Sequence, residues 1–279
     1  MVDNTKFVTL PEEEFIKECL DIIEKAREQG IVMRILGAVA VYIHSRHSKE
    51  AFKIYRNTNR LGTNKPIFSD LDLIAYGKQN RQVKKFFEEE LGFKPDFIVN
   101  NLFGYKRLLY YHPEGHYHVD IFFNKLEFNH DVEFGSKPGH GRLELDYPTV
   151  TLADLVLEKC QIHEINFKDI VDLIILFIAH NVGSLQEKEI IDGKYIAKVL
   201  SEDWGFWYDA TKNLKLVKEY ALKFLSEKKL EKDCFDKVTL RVDKLLKMVD
   251  EEPKSKKWQK RAKIGTSKPW YRSVEELLR

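Results

Sequence analysis

A chain of 279 residues that is 43% hydrophobic and 12% aromatic has enough apolar side chain to bury a core, which excludes global disorder. It is also longer than a typical single domain of ~100 to 150 residues, so two domains are expected. The formal net charge of +2 excludes a uniformly basic or acidic protein, yet residues 253–272 carry eight Lys or Arg and no acid.

Taken in chain order, residues 11–29 open with Pro11 and three glutamates, favourable at a helix N-terminus through fixed φ and the macrodipole, and Gly30 supplies a stop. The apolar run 31–36 reads as a strand ending at Gly37-Ala38, after which 39–47 has helical character. The stretch 56–66 is a loop by its Asn, Gly and Pro content. A second strand is expected around Asp70, a helix over 79–91 ending at Gly92, and further strands at 105–111, 117–123 and 142–147. From Thr151 the periodicity becomes helical, over 151–163, 167–180, 187–200, 206–226 and 234–249. These elements imply an α+β fold in which residues 1–150 form a mixed sheet flanked by helices and 151–279 form a helical domain. The segment 170–179 is the longest apolar one, but Asp172 interrupts it and it is too short to cross ~30 Å of hydrocarbon, so no membrane passage is expected. Cys19, Cys160 and Cys234 are odd in number and far apart, and the opening residues 1–6 lack a signal pattern, so a reducing, cytoplasmic setting is expected.

The most informative stretch is Ser69-Asp70-Leu71-Asp72-Leu73-Ile74. On a strand, residues i and i+2 share a face, so Asp70 and Asp72 stand side by side while Leu71 and Leu73 point into packing. Two adjacent carboxylates repel and call for a cation, and oxygen ligands on rigid strands suit Mg²⁺. Asp120 lies in a similar strand-like setting, and if the two strands are neighbours three carboxylates converge. The histidines His112, His116 and His118 lack the cysteine or Glu-x-x-His support of a zinc site, and His118 shares a strand face with Asp120.

The order strand, Gly37-Ala38, helix, Asp70-x-Asp72 strand and a later strand with Asp120 resembles the DNA polymerase β-like nucleotidyltransferase superfamily. Thr151 to Lys159 followed by Phe167-Lys168-Asp169-Ile170-Val171-Asp172 resembles the lysine and Lys-Asp-x-x-Asp helices of the AbiEii-type toxin nucleotidyltransferases. The resemblance implies a nucleotidyltransferase in which Asp70, Asp72 and Asp120 bind two Mg²⁺ ions and a nucleoside triphosphate such as ATP is the donor. It further implies that Gly37, Ala38 and Ser69 contact the phosphates, that Lys159 points at the triphosphate, and that Asp169 fixes Lys159 or the sugar. A role as the toxin of a toxin–antitoxin pair is a further implication.

An RNA end is the favoured acceptor, because Lys254, Lys256, Lys257, Lys260, Arg261 and Lys263 with Trp258 suit a phosphate backbone and a stacked base. The alternatives are a small hydroxylated molecule, a protein side chain, or a non-catalytic nucleotide-binding member of the same fold, the last motivated by Ala38 where the superfamily has a second Gly or a Ser.

Overall fold

The computed structural model describes residues 10–58, 60–62, 67–184 and 189–274. Part of the loop expected over 56–66, namely 59 and 63–66, lies outside the described residues, as do 1–9 and the first two residues of the helix expected over 187–200. The fold is mixed α+β, and the chain divides into two compact units. One comprises Met1–Ala40, Thr63–Lys125 and Glu133–Val150, and the other Val41–Gly62, Leu126–Val132 and Thr151–Arg279.

In the first unit, helix α1 (Glu12–Glu28) buries Phe15, Ile16, Cys19, Ile22, Ile23 and Ala26, with an i, i+4, i+7, i+11 stripe at its centre. Strand β1 (Met33–Leu36) runs straight into helix α2 (Gly37–Ser45), so Gly37 and Ala38 are the first helical residues and not a separate turn. Gly37 has φ +69°, a backbone state that favours glycine, and this lets strand pass to helix without a linker. Helix α3 (Lys49–Asn57), which belongs to the second unit and is capped by Ser48, forms where no element is expected from the sequence. Strand β2 (Asp70–Ala75) returns the chain to the first unit. It is followed by helix α4 (Asn80–Lys85) with its π-helical continuation to Glu90, strand β3 (Lys94–Pro95), helix α5 (Phe97–Phe103), and strands β4 (Arg107–Tyr111) and β5 (His118–Phe123).

The five strands form one mixed sheet in the order β1-β2-β5-β4-β3. Only β2 and β5 pair in parallel within it. Register aligns Ile35, Leu73, Ile121 and Leu108 in one row across four strands, each fully buried. The adjacent row is Leu36, Asp72, Asp120 and Leu109. Because successive strand residues face opposite sides, the first row builds core and the second carries acids on the other face.

The strand expected over 142–147 does not form. Its polar groups are met individually instead: the Arg142 N–H donates to the Phe134 carbonyl, the Leu143 N–H donates to the Tyr76 hydroxyl, and the Arg34 guanidinium donates to the Asp146 carbonyl. A hairpin of β6 (Lys125–Glu127) and β7 (Asp131–Glu133) is an element beyond those expected.

In the second unit, α6 (Leu152–Cys160) and α7 (Phe167–Ala179) are capped by Thr151 and Asn166. Every residue of α7 from Asp169 to Ile178 is buried. A two-residue parallel pair, β8 (Val182–Gly183) and β9 (Ile191–Asp192), leads into α8 (Gly193–Glu202), α9 (Trp204–Ser226), α10 (Lys232–Glu251) and α11 (Lys256–Ala262). Cys19, Cys160 and Cys234 are all buried thiols without a disulfide. No helix among the described residues is long and apolar enough to cross a membrane.

Candidate active site

Strand β2 alternates as its sequence dictates. Leu71 and Leu73 are fully buried, whereas Asp70 and Asp72 are partly exposed. Parallel pairing sets Asp72 opposite Asp120 and Asp70 opposite His118, so all four side chains share one face. The His118 Nε2 lies 3.7 Å from an Asp70 oxygen and 4.0 Å from an Asp120 oxygen. The Ser69 hydroxyl donates to Asp70 at 3.0 Å, which makes it a partner of the acid first.

Gly37 closes the site on the β1 side. A Cβ there would stand 2.5 Å from the Asp72 Oδ2, so only glycine leaves room for that carboxylate. The requirement is therefore twofold, a positive φ and a close approach.

Arg107, on β4, joins the site although no sequence motif marks it. Its Nε and Nη2 donate to the two Asp120 oxygens at 2.6 and 2.9 Å, a bidentate pair. Burial opposes the charge on Arg107, but Asp120, with Asp72 and Asp96 nearby, outweighs it and raises the guanidinium pKa. The only signal in the sequence is one charged residue heading the otherwise uncharged strand Arg107-Leu108-Leu109-Tyr110-Tyr111. Asp70, Asp72 and Asp120 do not bring one oxygen each to within 4.8 Å of one another. Asp120 is engaged with the Arg107 guanidinium, and Asp70 with Ser69 and His118.

Of the other histidines, His112 pairs with Glu18 at 2.8 Å and His116 with Glu114 at 3.0 Å. These carboxylate pairings account for both rings without a metal.

In the second unit, Lys159 and Asp169 do meet. The Lys159 Nζ is 3.0 Å from Asp169, 3.3 Å from Asp172 and 3.3 Å from Glu158. Arg60 adds a bidentate pair to Asp172, both distances 2.6 Å. Asp172 is fully buried, and Arg60, Lys159 and Asp169 are nearly so. Burial opposes ionisation of Asp172, and Arg60 and Lys159 reverse that and lower its pKa. Burial likewise disfavours a charged Lys159, and Asp169, Glu158 and Asp172 raise its pKa in spite of it. The ammonium of Lys159 is thus committed to three carboxylates, of which Asp169 and Asp172 hold α6 to α7.

The basic segment is folded. Trp258 packs edge-on to Trp207 at 5.1 Å, and Arg261 lies over the Trp204 ring at 5.0 Å. The Trp270 indole donates to Asp209 at 3.1 Å, and Tyr271 stacks on His163 at 3.5 Å. Trp258, the ring that suggests base stacking, is spent on packing against Trp207, while Lys256, Lys257, Lys260, Lys263 and Lys268 are exposed. No protein-family model matches the chain, and no curated protein or solved structure matches it.

Proposed function

We propose that the protein is a Mg²⁺-dependent nucleotidyltransferase that moves a nucleoside monophosphate from a nucleoside triphosphate to a hydroxyl acceptor and releases pyrophosphate. The observation that carries this reading is the parallel, in-register pairing of β2 with β5, which groups Asp70, Asp72, His118 and Asp120 on one face. Asp70 and Asp72 are the oxygen ligands for the cation. A bound Mg²⁺ supplies charge neutralisation at the phosphoryl group under attack and at the departing pyrophosphate. Arg107 fixes Asp120 and brings a permanent positive charge to the same face, so one divalent ion suffices where the resemblance implies two. In the transfer, the acceptor oxygen bonds to the α-phosphorus, the bond to the bridging oxygen breaks, and that oxygen leaves with the pyrophosphate. His118, flanked by Asp70 and Asp120, is assigned to take the proton of the attacking hydroxyl.

RNA is the acceptor class favoured by the exposed lysines of the basic segment. Incubation with Mg²⁺ and each α-labelled nucleoside triphosphate, followed by recovery of label in RNA, protein and small-molecule fractions, tests the activity. Label that disappears in Asp70→Asn and Asp72→Asn, with melting unchanged, is the expected result. Persistence of transfer in either variant overturns the assignment.

A second reading, a nucleotide-binding member without turnover, is favoured by the occupation of Asp120 by Arg107. Calorimetric binding of a triphosphate with no label transferred to any fraction would establish it in place of the first.

A further inference from the structure

Helix α5 wears its polarity inside out. Its N-cap Asp96 accepts from the Val99 N–H at 2.9 Å and from the Tyr111 hydroxyl at 2.9 Å. Asn100 faces the sheet, where its side chain accepts from the Leu109 N–H at 2.7 Å and donates to the Leu109 carbonyl at 3.1 Å. The groups that fasten the helix to β4 are therefore polar, and no residue of α5 is buried. Phe97 and Ile98 are each 73% exposed and Leu102 62%, on α5, and Tyr105, in the turn that follows the helix, is 72% exposed, so the four make an apolar stripe along the helix and just beyond it. Isolated apolar side chains on a surface call for no explanation, but four large ones grouped on and beside a helix held by its polar side reach the size of the largest apolar patch on a monomer, which is often functional.

We propose that this stripe is the interface of a homodimer, packing against the α5 of a second copy of the chain. Residues 97–105 contain no Asp, Glu, Lys, Arg or His, and Lys106 lies at the end of the stripe, over the Tyr105 ring at 5.9 Å, so the centre of the face meets its own copy without like-charge repulsion. An anionic nucleic-acid or membrane partner calls for several cations across the face, whereas residues 97–106 supply one, Lys106, at the end of the stripe. The area agrees. At ~150 Å² for each ring and somewhat less for each aliphatic chain, the four side chains cover ~500 to 600 Å². A two-fold interface uses the patch twice, giving ~1,000 to 1,200 Å² in all, the lower end of a specific interface. The stripe borders β3, the edge strand of the sheet, where no further strand among the described residues covers it. This inference is independent of nucleotidyl transfer.

Sedimentation velocity of the full chain between ~1 and ~100 µM is the test. The wild type sediments as a concentration-dependent dimer, and Ile98→Asp and Leu102→Asp each raise the dissociation constant at least ~tenfold. Both side chains are exposed, so circular dichroism of the variants stays as in the wild type, and so does melting at a concentration where the wild type is monomeric. Leu102→Cys, near the middle of the stripe, forms a disulfide-linked dimer under mild oxidation, while the wild type does not because its three cysteines are buried. A wild type that is monomeric throughout the range overturns the proposal. So does a dimer that both Asp variants leave intact, or a monomer whose RNA or vesicle binding those variants abolish.

Discussion

Arg107 and Asp120 sit on adjacent antiparallel strands, two residues out of direct register, and the guanidinium reaches diagonally to grip both carboxylate oxygens. Under the proposed function, this ion pair opposes cation binding on the acidic face. A unit charge ~6 Å from a divalent cation, at an effective dielectric constant of ~40, changes binding by ~2.8 kcal/mol, or about a hundredfold. Arg107→Gln is accordingly expected to tighten Mg²⁺ binding by up to about a hundredfold in a calorimetric titration, while lowering the melting temperature because Asp120 loses its partner. Unchanged or weaker Mg²⁺ binding removes Arg107 from the electrostatics of the site.

Gly37 and Gly30 allow a controlled comparison, since both have positive φ, +69° and +71°, but only Gly37 has a side chain pressed against it. Gly30→Ala is expected to cost only the left-handed backbone penalty of ~1 to 2 kcal/mol and to leave metal binding intact. Gly37→Ala incurs the same penalty and also displaces the Asp72 carboxylate, so it loses Mg²⁺ binding as well. Chemical denaturation and titration of both variants check this, and equal behaviour of the pair counts against a special role for Gly37.

Asp172 lies between Arg60 and Lys159 with no solvent to replace it. Asp172→Asn leaves two buried cations short of a counter-charge and is expected to destabilise the protein by ~3 to 5 kcal/mol. An acid on an open helix surface would shift stability by ~0.5 kcal/mol at most. Urea denaturation separates the two.

Burial holds the His180 pKa at about 4, against the opposing pull of Glu189 and with help from His44 and His47. The unfolded chain therefore binds a proton near pH 6.5 that the folded chain resists until about 4. Stability from this group is complete above pH 6.5 and falls as the pH drops from there toward 4. The full loss is on the order of 3 kcal/mol. Glu189, whose own pKa is lowered by His44 despite burial, adds to the acid sensitivity, because protonating it removes the pairing. His180→Asn should flatten the slope of stability between pH 6.5 and 4, and an unaltered slope would exclude His180 as its source.

The basic segment separates packing from charge. Lys256→Glu with Lys260→Glu should weaken binding of single-stranded RNA and reduce the slope of log affinity against log salt by ~1 for each phosphate left without a lysine to neutralise it. Trp258→Ala should lower the melting temperature instead, since the ring packs against Trp207. Diminished RNA affinity in Trp258→Ala alone, with stability unchanged, would restore a stacking role to that ring.

Much of the candidate site is legible in the chain because strand periodicity is local. Asp70-Leu71-Asp72-Leu73 announces which side chains turn inward, and the structure keeps that alternation. The same holds for α1, whose apolar spacing and Gly30 stop bound it to within a residue or two. The segment 142–147 has the composition of a strand but does not pair as one, because its backbone finds partners in Tyr76, Phe134 and Arg34. Two of those, Tyr76 and Arg34, are far away in sequence. Helix α3 hides beside a polar loop, although Ser48 caps it and Ala51, Ile54 and Tyr55 form its buried stripe.

What the chain fixes locally is a binary pattern: which residues of each strand face the core, where most helices start and stop, and that acids stand at alternate positions on one strand. These follow from backbone geometry over a few residues. Folding in three dimensions adds that β2 lies parallel to β5, that Arg107 holds Asp120, that Lys159 is enclosed by three carboxylates, and that α5 turns its apolar side to solvent. Each of these depends on how an element sits against others distant in the chain. Register and burial across elements set it, and no local spacing encodes it.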